Sequence, residues 1–348
     1  MKQRGVFLIG ISFLIIYFFL FPRSGGLELT VFPLKLIDIN NLSLSENNKS
    51  GTYVVTGSFG SLFIDSECVP VSAFLTGNTA ASGKWIAVKG KNVIKIFKPD
   101  GEQSAEIASE GFPVSRNGSL FIYNGKTGTI DKINTENGNI QWSLQFISPL
   151  TVIDSIEGIT LLGFLDGKAL VIGKNGETVF TYRPGGSRVE AVYGGALSSD
   201  GKFIALISGL DPQRFILLEK RENGYRPVAH HDTGTVFRRP VSVGFVRHNK
   251  EVLYEKMANA ELVNTENHKT AQLELNGSLV YWQTDTIPET VILAGKTGRT
   301  SELIMYSRDN KALFSTNVNA VITGLFSYRN LLMISTDHDI RILEFLIK

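Results

Sequence analysis

The sequence predicts an all-β protein: a β-propeller of about seven four-stranded blades, closed by N- and C-terminal strands, with one N-terminal transmembrane helix ahead of it. Three observations predict this. From about residue 51 onward one phrase recurs roughly every 40 residues, a Gly/Asn/Asp turn followed by a short run of β-branched and aromatic residues. Asn-Gly, Asp-Gly and related pairs recur at positions 100, 117, 124, 137, 166, 175, 200, 223 and 276, and such pairs suit the left-handed angles of tight hairpin turns. Beyond the N-terminus no long stretch carries a helical apolar period.

The N-terminal element is residues 6–21, VFLIGISFLIIYFFLF, an uncharged run with Lys2 and Arg4 before it and Pro22 and Arg23 after it. As a helix it would span about 24 Å, a little short of a roughly 30 Å hydrocarbon core, with Tyr17, the phenylalanines and Arg23 placed to make up the difference. A cleaved signal peptide is the competing reading, but bulky Phe21, Pro22 and Arg23 precede the small residues Ser24, Gly25 and Gly26, a poor cleavage site. Residues 1–24 are therefore expected to be a membrane anchor or uncleaved signal, with the N-terminus cytoplasmic and the body exported to the periplasm or outside the cytoplasm. Residues 25–50 read as a connector with strand character at 29–39, and residues 51–348 as the propeller.

Seven apolar runs mark the second strand of successive blades: 84–88, 119–123, 159–163, 202–208, 251–255, 289–294 and 330–335. The run 339–347 reads as a third strand with no fourth after it. Residues 52–56 and 61–64 stand spare at the other end, and one of them is expected to complete the last blade, which would remove an exposed sheet edge.

Composition excludes several functions. There are 35 basic and 33 acidic residues, a formal charge of +2, with no basic run beyond pairs such as Arg238-Arg239, which argues against nucleic-acid binding. Cys68 is the single cysteine, so no intramolecular disulfide and no cysteine-based zinc site can form. His230-His231-Asp232 is the densest run of potential metal ligands, but neighbouring strand residues point to opposite faces. Lys126-Thr127-Gly128, Lys296-Thr297-Gly298 and Ser199 with Lys202 mimic elements of serine acyl-transfer sites. That chemistry needs the serine to open a helix, and Asp200-Gly201 makes a hairpin turn instead. Asp337-His338-Asp339 reads as a hairpin turn. Arg238-Arg239-Pro240 and Arg247-His248 read as solvated loops near one another, the alternative being a basic patch. No residue is assigned a catalytic, cofactor-binding or metal role, and the chain is not expected to be an enzyme.

Two phrases carry a family resemblance. Residues 124–142 resemble a pyrroloquinoline-quinone-like propeller repeat, with a Gly turn, a strand, an Asn-Gly turn and a strand bringing Trp142; residues 167–180 are a weaker copy with Phe180 at the Trp place. Residues 198–205 resemble the Ser-x-Asp-Gly-Lys turn of WD40-like propellers. The resemblance implies a single-propeller envelope protein of that superfamily. Proteins of this kind act as docking platforms, so it implies a non-catalytic protein–protein interaction scaffold whose partners are other envelope or membrane proteins. The alternatives are a small-molecule or glycan-binding sensory propeller and a metal-dependent propeller hydrolase. The quinone-dependent enzymes of the superfamily use an adjacent cysteine pair and a calcium site, and neither is visible here.

Overall fold

A computed structural model describes residues 29–45 and 51–347. The expected N-terminal membrane helix lies outside them; among the described residues no helix is long and apolar enough to cross a membrane. Among the described residues, thirty-one strands form eight antiparallel sheets, seven of four strands and one of three. They are the blades of a closed ring, numbered here in chain order: 53–74, 79–108, 112–145, 150–182, 189–232, 243–274, 278–318, and blade 8 at 324–347 together with Leu29–Asp38. In each blade the chain starts at the central axis and steps outward by short hairpins. The upper face is defined here as the end where the inner strands of blades 2 to 8 begin, and the lower face as the end where they finish.

The blades form where the repeat predicts them. Second strands such as Phe203–Leu210 are buried on both faces, because each sheet is sandwiched between two others. Their apolar side chains make the inter-blade core: Leu161 and Val171 of blade 4 pack against Leu206 and Ile216 of blade 5, and Val252 and Val263 of blade 6 against Phe215 and Leu217 on its other side. The hairpins follow the turn chemistry of the sequence. At Asp200-Gly201, for example, the Asp200 carboxylate accepts the Lys202 amide at 3.0 Å and Gly201 takes the left-handed φ of +67°.

Two expectations are corrected. The ring has eight blades rather than seven, because Gly60–Ile64 is the second strand of a further, three-stranded blade. Neither 52–56 nor 61–64 closes the last blade. That strand is Leu29–Asp38, from the segment read as a connector, which pairs along its length with Asp339–Ile347.

Blade 1 also runs the opposite way. Tyr53, which opens its inner strand Tyr53–Gly57, packs at 3.8 Å on Tyr328, which closes the inner strand Gly324–Tyr328 of blade 8. At the other end Gly57 lies beside Thr323, just before blade 8's inner strand begins. Ser61, near the start of blade 1's second strand, hydrogen-bonds Thr79, the first residue of blade 2, at 2.7 Å. The reason is topological. The closing strand climbs from the lower to the upper face, and residues 39–45 then carry the chain back down. The Ile39 amide bonds His338 O at 3.0 Å on the upper side, and the Ser45 amide bonds Pro70 O at 2.7 Å on the lower. A blade begun from below needs an odd number of strands to deliver the chain to the upper face, where blade 2 starts. Three strands do so.

Candidate binding surfaces of the channel and the upper face

The inner strands of blades 3 to 7 surround a cavity of roughly 720 Å³ on the ring axis, lined among others by Thr151, Tyr193, Ser242 and Trp282. Two opposite charges face it. Arg116 ends the inner strand Phe112–Arg116, where its Nε donates to Ile153 O at 2.8 Å and one terminal nitrogen to Ser115 O at 2.8 Å. Asp154, on Leu150–Ile156 of blade 4, accepts the Leu197 amide of blade 5 at 2.7 Å. Both side chains reach the cavity, Arg116 still open to solvent and Asp154 half-buried, with protein walls on several sides. Partial desolvation by those walls lowers the Arg116 pKa and raises that of Asp154, each opposed by the charge of the other. A guanidinium stays charged despite such a shift. The pair presents a cation and a carboxylate that can orient a polar guest.

The lower mouth of the channel is braced by the turn at 247–250. Arg247, His248 and Asn249 are three successive non-glycine residues at φ of +52°, +55° and +65°, a conformation that costs on the order of 1 kcal/mol or more each. Its neighbours hold it there. Arg247 is 3% exposed, and its guanidinium donates to Glu251 at 2.6 Å, to Asn310 at 2.9 Å, to Ser307 O at 2.6 Å and to Glu289 O at 3.0 Å, joining blades 6 and 7. Asn249 reaches back to Ser199 of blade 5 at 2.8 Å. Arg239 instead lies on the upper side, paired in a fork with buried Glu255 at 2.6 and 3.0 Å. The basic residues singled out in the sequence therefore form no patch. The inner strand Val243–Val246, about 13 Å long, separates Arg239 from Arg247, and both are committed to ion pairs.

The other sequence candidates fall into turns and edges. His230 and His231 project to opposite sides of the outer strand Gly224–Asp232. His230 meets Arg214 at 2.7 Å, while His231 meets the Tyr254 hydroxyl at 3.0 Å and Glu261 at 3.7 Å. Burial holds the His231 pKa below its ordinary 6.5, only partly offset by Glu261. Among the described residues no group of three or more His, Cys, Asp or Glu could hold a metal ion. Lys126-Thr127-Gly128, Ser199 and Asp337-His338 sit in hairpin connections, while Lys296 and Thr297 end the strand Val291–Thr297 and Gly298 opens the turn after it.

The two faces differ in apolar exposure. Leu75, Phe112, Ile147, Leu165, Val189, Val236 and Met257 are exposed large apolar side chains, and all sit at the upper face, in its connections or at the first residue of an inner strand, along the arc of blades 1 to 6. Ile147 projects fully into solvent beside a groove of roughly 480 Å³ between blades 3 and 4. Among the described residues, the lower side exposes Leu44, in the connector beside Ser45, and Leu346, near the end of Asp339–Ile347, but no lower-face hairpin turn exposes such a side chain. Neither this asymmetry nor the Arg116–Asp154 pair has a motif in the sequence, because both arise only when separate blades are brought side by side.

A family described as β-propeller protein matches residues 1–347. The chain belongs to that family. An uncharacterized protein of Treponema pallidum (strain Nichols) is 27% identical over 228 residues, which is 65% of this chain and 60% of that protein, so the chain spans about 60% of the relative's length. Among solved structures, BamB from Moraxella catarrhalis is similar at a TM-score of 0.65 and 10% identity, covering 91% of this chain and all of that one. The WD40 domain of Toxoplasma gondii coronin gives 0.57 at 12% identity, covering 92% and 87%. A chain of a mitotic checkpoint complex gives 0.58 at 11%, covering 89% and 94%. Likeness at such low identity shows the fold alone, and it bears out the reading of the chain as a β-propeller.

Proposed function

We propose that this protein is a non-catalytic propeller, anchored in a membrane by residues 6–21 and exposed outside the cytoplasm, that holds other envelope or membrane proteins together. The observation that carries the reading is the apolar arc of the upper face. Solvent-exposed apolar side chains set in connections over a rigid strand core suit protein docking, because the core fixes their spacing while the connections are free to vary. BamB and the checkpoint-complex chain lend general support as propellers of the same architecture. The test is crosslinking in intact cells followed by affinity purification of the full chain, beside an Ile147→Asp/Met257→Asp variant. A reproducible set of proteins with the parent chain, lost several-fold with the variant, is expected; recovery of the chain alone from both would refute the reading.

The central cavity favours a second reading, a binding site for a small polar molecule. It is large enough for one, and it presents Arg116, Asp154 and Trp282 to the same space. A small-molecule thermal-shift screen whose hits vanish on Arg116→Gln would support it.

A further inference from the structure

We propose that the closing strand Leu29–Asp38 lies against the surface of the lipid bilayer, so that the propeller stands edge-on to the membrane with both faces free. The inference rests on the reading of residues 6–21 as a membrane anchor. The strand is the outermost of blade 8 and exposes Phe32, Leu34 and Leu36, at 47%, 51% and 64%. Each of the six other outer strands exposes at most one large apolar side chain, Ile140 in blade 3 and Val179 in blade 4. Blade 5, for instance, turns Arg226 and His230 outward instead. The apolar rim is thus confined to the one outer strand that follows the apolar N-terminal run.

The occupant is set by the chain outside the described residues and by the strand's own chemistry. Seven residues, 22–28, separate Phe21 from Leu29, and they reach at most about 25 Å. An inserted anchor therefore keeps Leu29, where this rim begins, within that distance of the headgroups. An added protein strand would need regular hydrogen bonding along the free edge. Pro33 offers no amide hydrogen, and the register shifts between Pro33 and Lys35, so the edge is blunted against strand addition. A lipid interface demands no such bonds and accepts aromatic and aliphatic side chains together.

The full chain reconstituted into vesicles of phosphatidylethanolamine and phosphatidylglycerol tests this. A polarity-sensitive fluorophore is attached at Phe32→Cys, Leu36→Cys or, as upper-face reference, Ile147→Cys. Native Cys68 is buried at 2% exposure and takes no label. Labels at 32 and 36 are expected to be quenched by headgroup-attached quenchers and shielded several-fold from aqueous iodide, and the label at 147 to behave oppositely. If all three respond alike to iodide while the chain stays inserted, the edge-on placement is wrong and the anchor stands. Shielding at 32 and 36 without lipid quenching would mean that a second copy covers the rim, and would also overturn it. A chain that does not insert at all refutes the anchor and this placement together.

Discussion

Blade 5 and blade 1 occupy equivalent places in the ring but are built differently. Blade 5 has four strands of eight or nine residues, with an inner core of Leu206, Ile216, Phe215 and Leu217 shared with both neighbours. Blade 1 has three strands of five residues, runs in reverse, and leaves its third strand Pro70–Phe74 at an edge. Beyond blade 5, the junction of blades 6 and 7 is pinned by the buried Arg247 network; the junction of blades 8 and 1 is held by apolar and aromatic contacts around Ile340, Ile342, Tyr53 and Tyr328. The ring is therefore not uniform. The seam where the two ends of the fold meet is expected to open before the pinned junction of blades 6 and 7.

The largest expected effect is at the pinned junction. Arg247→Ala leaves Glu251 without its partner and removes the brace from a strained turn, and should cost about 3–5 kcal/mol in denaturant unfolding. A loss below about 1 kcal/mol would show that the clamp does not matter. Next come two fully buried leucines, Leu206 in blade 5 and Leu62 in blade 1. Truncation of each to alanine should fall in the range of about 2–5 kcal/mol, with Leu206→Ala toward the top and Leu62→Ala toward the bottom, because an edge blade relaxes more readily around a cavity. The reverse order would break the comparison.

A smaller effect comes from pH. His231 has a folded pKa below its unfolded 6.5, so the unfolded chain binds the extra proton and stability falls as pH drops below about 6.5, levelling off once the folded histidine is also charged. The melting temperature of the parent protein should fall between about pH 7 and pH 5 more steeply than that of His231→Gln. Equal slopes would show that His231 does not set this dependence. The smallest and most local effect is in hydrogen exchange: the amides of Val71 and Ala73 in blade 1 should exchange faster than those of Leu206 and Ile207 in blade 5, at a protein concentration where both are monomeric.

Much of this fold is legible in the sequence, and what is not legible has physical causes. The seven apolar runs are real second strands because a strand sandwiched between two sheets must be apolar throughout. The eighth escapes the period because blade 1 has no fourth strand, so Gly60–Ile64 lies only about 25 residues before the next second strand, Trp85–Lys89. Leu29–Asp38 reads as a strand and is one, but nothing local says that it pairs with residues more than 300 positions away. His230 and His231 diverge, as the alternation of side chains along a strand requires. Arg239 and Arg247 look adjacent in sequence and sit at opposite ends of a blade, because a strand of four residues spans the ring from face to face. The cavity pair Arg116–Asp154 comes from two blades, and no single stretch of chain announces it.

The central claim is that the apolar upper face docks protein and the lower face does not. The direct measurement places a photo-activatable crosslinking residue at Ile147 on the upper face or at Lys84 on a lower-face turn, in the full chain, in living cells. Discrete crosslinked proteins are expected from position 147 and none from position 84. Equal crosslinking from both, or products from position 84 alone, would contradict the claim.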